Sequence, residues 1–301
     1  GDSHSLLREY EPAKQEYNQT LAIFEKILGR DHVGTATVCH KLGYVHFELS
    51  EYGMAKQMFG RALRIRENVL GHDNLDTARS SNGLGMVHIE KGEYELAMKL
   101  CESALRIYER LIGKHPATAA THNSLGNVRK ELGEYAPALE QYESALEIYE
   151  KIPGSDPPDT AHIYNNLGNV WWEMGNYEQA KSHHYQALAI RNKVLGSNHP
   201  DTARSYANLC NAHLASGDYD RAKDVCGKAL DIYEKVLGCE HLLTAEVYNN
   251  LGSVHLQMRE YERAEEQSAK ARLIYEKVLG SDHPLTAEVY NDLAEVYLTR
   301  G

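Results

Sequence analysis

Asparagine recurs in this chain at positions where a helix least favours it, and it does so in phase. Counting from a repeated threonine, the fifth following residue is Asn82, Asn123, Asn165, Asn249 and Asn291. The sixth is Asn166, Asn208 and Asn250, and the ninth is Asn127, Asn169 and Asn211. An amide side chain carries donors and an acceptor together, so it can satisfy another chain's backbone without reading its side chains. The chemistry this pattern offers is capture of an extended peptide rather than the making of bonds. Asparagine forms helices poorly, so packing alone does not favour so many in mid-helix. The competing use of the same amides is to bond one helix to the next.

Reactive constellations are missing from the sequence. It holds no Gly-rich phosphate loop, no GxSxG elbow, no HExxH and no CxxC pair. Of its 16 histidines, nine fall in two repeating columns: His32, His115, His199, His241 and His283, and His46, His88, His213 and His255. His183 and His184 are neighbours, which point to different faces of a helix and do not chelate together. The expectation is no catalytic residue, no metal and no cofactor. The five cysteines, Cys39, Cys101, Cys210, Cys226 and Cys239, are odd in number and show no metal spacing; reduced thiols in a cytoplasmic protein are expected. The net charge of −11 argues against nucleic acid or an anionic membrane as partner. No apolar run approaches the roughly 18 residues that span a bilayer.

The elements that carry these residues follow from one repeating pair. Thr-Ala occurs at Thr35, Thr77, Thr118, Thr160, Thr202, Thr244 and Thr286, in steps of 42, 41, 42, 42, 42 and 42 residues. A fixed period of this length marks units that cannot bury an apolar face alone and therefore stack. Within the unit from Thr202, Ala203, Tyr206, Leu209, Ala212 and His213 show helical spacing, and Gly217-Asp218 breaks the helix. A second helix runs from Tyr219 to Leu237 and stops at Gly238, with Lys235 in the last turn where it offsets the helix dipole. Each unit is thus a helix A, a tight turn and a longer helix B. Gly29, Gly71, Gly113, Gly154, Gly196, Gly238 and Gly280 end the B helices, and no proline is expected to interrupt a helix. The phase gives one array over 1–301: an orphan helix B at 9–29, repeats at 31–71, 73–113, 115–154, 156–196, 198–238 and 240–280, and an orphan helix A at 284–300. Those terminal helices are expected to lack their covering partners and to self-associate or fray.

The signature residues resemble the tetratricopeptide repeat (TPR). Leu84-Gly85, Tyr94 and Ala97 carry the likeness, as do Leu167-Gly168, Tyr177 and Ala180. The 42-residue form, with Ala229-Leu-Asp-Ile-Tyr-Glu-Lys-Val-Leu-Gly238 and Leu195-Gly-Ser-Asn-His-Pro-Asp-Thr-Ala203, is similar to the kinesin light chain type. The resemblance implies an all-α, right-handed α-solenoid of about 14 helices, with the A helices lining a concave groove. It implies a scaffold or adaptor that binds an extended segment of a protein partner there. By the same resemblance the groove holds Asn82, Asn123, Asn127, Asn165, Asn166, Asn169, Asn208, Asn211, Asn249 and Asn250, with Trp172 as a candidate anchor. The alternatives are a self-assembling structural array and a regulatory arm of a larger signalling protein. Lys41, Arg79, Lys130 and Arg204 do not supply a carboxylate clamp, because no single helix A places two of them at its second and sixth positions. Glu246, Glu288, Asp292 and Glu295 favour a ligand that is basic toward the C-terminal end.

Overall fold

A computed structural model describes residues 2–152 and 158–300, with side chains over 10–152 and 159–300. Every regular element in the described residues is a helix. They are α1 (Asp2–Ile27), α2 (Val33–Glu48), α3 (Tyr52–Leu70), α4 (Leu75–Glu90), α5 (Tyr94–Leu111), α6 (Pro116–Glu131), α7 (Tyr135–Glu150), α8 (Pro158–Glu173), α9 (Tyr177–Val194), α10 (Pro200–Ala215), α11 (Tyr219–Val236), α12 (Leu242–Gln257), α13 (Tyr261–Leu279) and α14 (Pro284–Arg300). The even-numbered helices are the A helices. The chain forms two compact units, Asp2–Ser155 and Asp156–Gly301. Within each unit every helix packs on the next in sequence, and successive A helices also touch: α2 with α4 and α4 with α6, then α8 with α10, α10 with α12 and α12 with α14. This second approach puts the A helices on the inner side of each stack.

The repeated Thr-Ala pair has two structural uses. The alanines, Ala36, Ala78, Ala119, Ala161, Ala203 and Ala245, are fully buried where helices cross. The threonine hydroxyls donate to the carbonyl of the glycine that ended the preceding helix: Thr35 to Gly29, Thr77 to Gly71, Thr202 to Gly196, Thr244 to Gly238 and Thr286 to Gly280, all at 2.8–2.9 Å. Those glycines take the positive φ that closes a helix, 83° at Gly71 and 88° at Gly196. Gly154, expected to end α7, lies outside the described residues.

The first histidine column caps the A helices. His32, His115, His199, His241 and His283 each accept, through Nδ1, from the backbone N–H two residues on, at 3.0–3.2 Å. Asn74 does the same for α4 at 2.8 Å. The second column joins repeats. His46 meets Glu51, His88 meets Glu93 at 2.5 Å and His255 meets Glu260 at 2.6 Å. A lysine of the preceding helix B completes each set: Lys14 to Glu51 at 2.8 Å, Lys56 to Glu93 at 2.9 Å and Lys223 to Glu260 at 3.0 Å. Where the lysine column holds Met98, the following unit supplies its own cation, Arg129, to Glu134 at 3.3 Å.

Two expectations are corrected by the structure. Pro12 lies inside α1 rather than in a first turn, because the helix starts at Asp2: nothing in residues 2–9 is a glycine or proline that would stop it earlier. The cysteines are not all thiols. Cys210 on α10 and Cys226 on α11 form a disulfide, leaving Cys39, Cys101 and Cys239 free.

That disulfide occupies a particular place. Near the middle of helix A, five repeats have a glycine: Gly43, Gly85, Gly126, Gly168 and Gly252. A Cβ there would lie 2.2–2.8 Å from the helix-B side chain opposite, which is Phe59, Cys101, Tyr142, His184 and Ser268 in turn. The glycine of the Leu-Gly signature is therefore a close-approach residue, and each junction has room for one side chain. Cys210 stands in the glycine column and Cys226 in the column opposite.

Candidate functional site

The inner face of each unit is built from the solvent side of the A helices. The second position after the threonine is exposed at Arg79, Ala120, His162, Arg204, Glu246 and Glu288, while the threonine and alanine just before it are buried in nearly every case. These side chains are open to water yet crowded by protein. Burial is the leading cause that pushes His162 down and Glu246 up from their ordinary ranges; the nearby Arg204 partly opposes it at Glu246, and Glu288 adds to it. An exposed side chain whose charged form is still penalised by burial stands on a face partly enclosed by protein. Sequence reasoning passed over His162, which shows no periodic chemistry and is identifiable only by its phase.

In the first unit, Asn82 and Asn123 lie half-buried on α4 and α6. Asn82 Oδ1 is buried without a hydrogen-bond partner. It borders a cavity of about 160 Å³ between α2 and α4, walled by Tyr44, Phe47, Phe59 and Met86, with Arg79 at its edge and His40 beside it. Burial pushes the His40 imidazole down to about 4, so it is neutral at physiological pH. Asn127 accepts a 2.7 Å hydrogen bond from the Tyr142 hydroxyl, whose ring crosses Gly126.

In the second unit, Asn208 on α10 donates to Asn165 Oδ1 on α8 at 2.7 Å, and Asn249 on α12 donates to Asp292 Oδ2 on α14 at 2.8 Å. Asn165 and Asn249 are both about nine-tenths buried. These amides bond A helix to A helix, and Asn249 keeps an unpartnered Oδ1. Asn166, Asn169, Asn211 and Asn250 are half-buried on the same helices. Trp172 is 40% exposed at the end of α8, followed by exposed Met174. The arrangement gives hydrogen-bonding groups beside apolar ones along each inner face, with positive charge at Arg204 and negative charge at Glu246 and Glu288. No group of three or more His, Cys, Asp or Glu among the described residues is placed to hold a metal ion. No helix of the described residues is long and apolar enough to cross a membrane.

Comparison with known proteins bears on the repeat and the fold. The family model described as tetratricopeptide repeat matches residues 1–68, 40–110, 76–151, 159–235, 205–271 and 247–301, and a second model of the same description matches 124–192. The fold is similar to the crystal structure of BtubC (BKLC) from P. vanneervenii, at TM-score 0.66 and 21% identity, covering 77% of this chain and 94% of that one. It is also similar to a Podospora anserina putative kinesin light chain with nearly identical TPR-like repeats, at TM-score 0.58 and 24% identity over 66% of this chain and 95% of that one. The Cut9–Hcn1 structure from the APC/C is similar at TM-score 0.69 and 17% identity, over 98% of this chain and 48% of that one. At these identities the likeness concerns the fold. A comparison with curated protein sequences returns no match.

Proposed function

The chain belongs to the tetratricopeptide-repeat family, and from that premise we propose that its inner A-helix face holds an extended segment of a partner protein. Proteins built of these repeats generally mediate protein–protein interactions. The observation that supports the reading here is the second-position column, exposed at Arg79 and Ala120 in the first unit and at His162, Arg204, Glu246 and Glu288 in the second, beside positions that are buried. A segment lying along it meets amides at Asn166, Asn169, Asn208 and Asn211, an exposed indole at Trp172, and carboxylates at Glu246 and Glu288 that suit basic side chains. This is the work of an adaptor or scaffold rather than of an enzyme. A cytoplasmic location fits that role.

A second reading has its own observation. Leu285, Tyr290, Tyr297 and Leu298 on α14 are exposed, at 40%, 43%, 53% and 83%, which is the kind of surface through which arrays self-associate.

Selection from a displayed library of random peptides tests the first reading. Enriched peptides should bind the wild-type chain and lose at least about tenfold in affinity, near 1.4 kcal/mol, with Trp172→Ala or Asn169→Ala. The melting temperature should stay unchanged. If no peptide is enriched, or enriched peptides bind both variants as tightly as wild type, the groove reading fails. Self-association is measured separately by sedimentation of wild type against Tyr297→Glu.

A further inference from the structure

The disulfide sits where the other repeats leave room for a single side chain, and this carries a consequence beyond peptide binding. Atoms that are not bonded stay about 3.5–4 Å apart. In five repeats the helix A–helix B junction would put a Cβ within 2.2–2.8 Å of the opposing side chain, and glycine solves the problem. The repeat at 198–238 has side chains on both sides, Cys210 and Cys226, and both are fully buried. They share the space because they are one covalent group. Cys101 stands in the same column as Cys226 but faces Gly85, so it has no partner across the junction. The residue that breaks the glycine rule and the residue able to bond to it occur together.

We propose that Cys210 and Cys226 are a reversible thiol–disulfide site whose oxidation sets the packing of α10 on α11. Reduction consumes two thiols of a reductant: the Cys210–Cys226 bond breaks, each sulfur takes a proton, and the reductant's two sulfurs become a disulfide. Oxidation is the reverse exchange with a low-molecular-weight disulfide. Once reduced, two full-size thiols occupy a one-side-chain junction. They lie among Ala207, Leu209, Ala222 and Val225, all buried, so two unbonded thiols press on one another and on the core. The helices must separate. Because α10 also carries Asn208, bonded to Asn165 of α8, and Asn211, its displacement moves inner-face groups. The packing consequence stands on its own; the effect on a ligand rests on the groove reading above.

Hydrogen exchange on the intact chain, read by mass spectrometry with and without dithiothreitol, tests the packing claim. Reduction should speed exchange in α10 and α11 by about tenfold or more while leaving α4 and α5 unchanged. The double variant Cys210→Gly, Cys226→Ser copies the Gly252–Ser268 junction of the next repeat and should show the oxidised protein's protection under both conditions. After incubation with glutathione disulfide, alkylation under denaturing conditions should leave Cys210 and Cys226 unlabelled and bonded to each other, whatever happens at the exposed Cys239. The proposal is overturned if reduced wild type is as protected as oxidised, if the double variant responds to dithiothreitol as wild type does, or if Cys210 and Cys226 are labelled. If α10 and α11 respond as stated but library-selected peptides bind equally in both states, the packing claim stands and its reach to the inner face falls, whereas failure of the groove reading shows separately, as peptides that bind Trp172→Ala and Asn169→Ala as tightly as wild type.

Discussion

Asn208 gives an amide proton to Asn165 across 2.7 Å, tying the middle of α10 to the middle of α8. An asparagine in mid-helix is costly, and this pair shows one return on that cost: a hydrogen bond between consecutive repeats at a position where both backbones are already committed. Replacing either residue alone by alanine should therefore destabilise the second unit by about 1 kcal/mol, despite alanine's better helix propensity. A double-mutant cycle in urea should give a coupling of about 0.5–1.5 kcal/mol. Zero coupling would mean that the bond contributes nothing and that both amides are free to serve a ligand.

The glycine column gives a sharper expectation. Gly126→Ala would place a methyl 2.6 Å from the Tyr142 ring, which is packed on all sides and bonded to Asn127. The cost should be about 1–3 kcal/mol, seen as an earlier urea transition of the first unit. Gly60→Ala, on the surface of α3 with open space around it, should instead stabilise.

Acid sensitivity should begin at an unusually high pH. His184 fills the junction opposite Gly168, and burial pushes its imidazole down to about 3, with His183 and Arg191 adding to the effect. A folded-state value below the unfolded one means that stability is present above about pH 6.5 and erodes as pH falls from there toward 3. Glu93 and Glu260 act in the same direction but later: their lysine partners, Lys56 and Lys223, hold them at about 2, so their contribution is lost between about 4.5 and 2. His184→Tyr, which copies Tyr142 in the same column, should make the limb between about pH 6.5 and 4.5 shallower in a series of melts, with the buried His40 still contributing, and leave the lower limb in place. An unchanged upper limb would exclude His184 as its source.

Two turns hold residues unsuited to their backbone. Ser50 and Arg259 have φ of 58° and 60°, where the equivalent turns place Gly92, Gly133, Gly175 and Gly217. Ser50→Gly and Arg259→Gly should each stabilise by about 1 kcal/mol. Calorimetry would show it, and a lower melting temperature would argue that the side chains make contacts that outweigh the strain.

Much of this was legible in the sequence because the period is rigid. The turn glycines, the buried Ala36-to-Ala245 series and the starts of the helices from α2 on follow from phase alone, whereas the start of α1 at Asp2 does not. The disulfide was legible too, in the phase of the repeats rather than in the spacing of the cysteines. Residues 210 and 226 form no CxxC pair, but aligning the repeats places Cys210 in a glycine column and Cys226 in the column facing it. The inner face was harder. Phase locates Asn165 and Asn208 on one face of their helices but says nothing of distance between repeats, and distance decides whether an amide meets its neighbour or a ligand. The helix-capping role of His199 and its column was likewise hidden, because histidine is an uncommon cap and its use depends on a lone pair at Nδ1.

The lysine–carboxylate–histidine sets tie particular neighbours together. Lys56 belongs to one cassette and answers Glu93 and His88 in the next, whereas Met98 precedes a cassette that brings Arg129 to its own Glu134. Moving a histidine segment behind Met98 would leave its carboxylate without the lysine contact that Lys14, Lys56 and Lys223 supply elsewhere. Units of such similar sequence invite unequal recombination, and a product that set His88 and Glu93 behind Met98 would lose the Lys56 ion pair. Each such boundary is a property of two neighbours together, not of either unit alone.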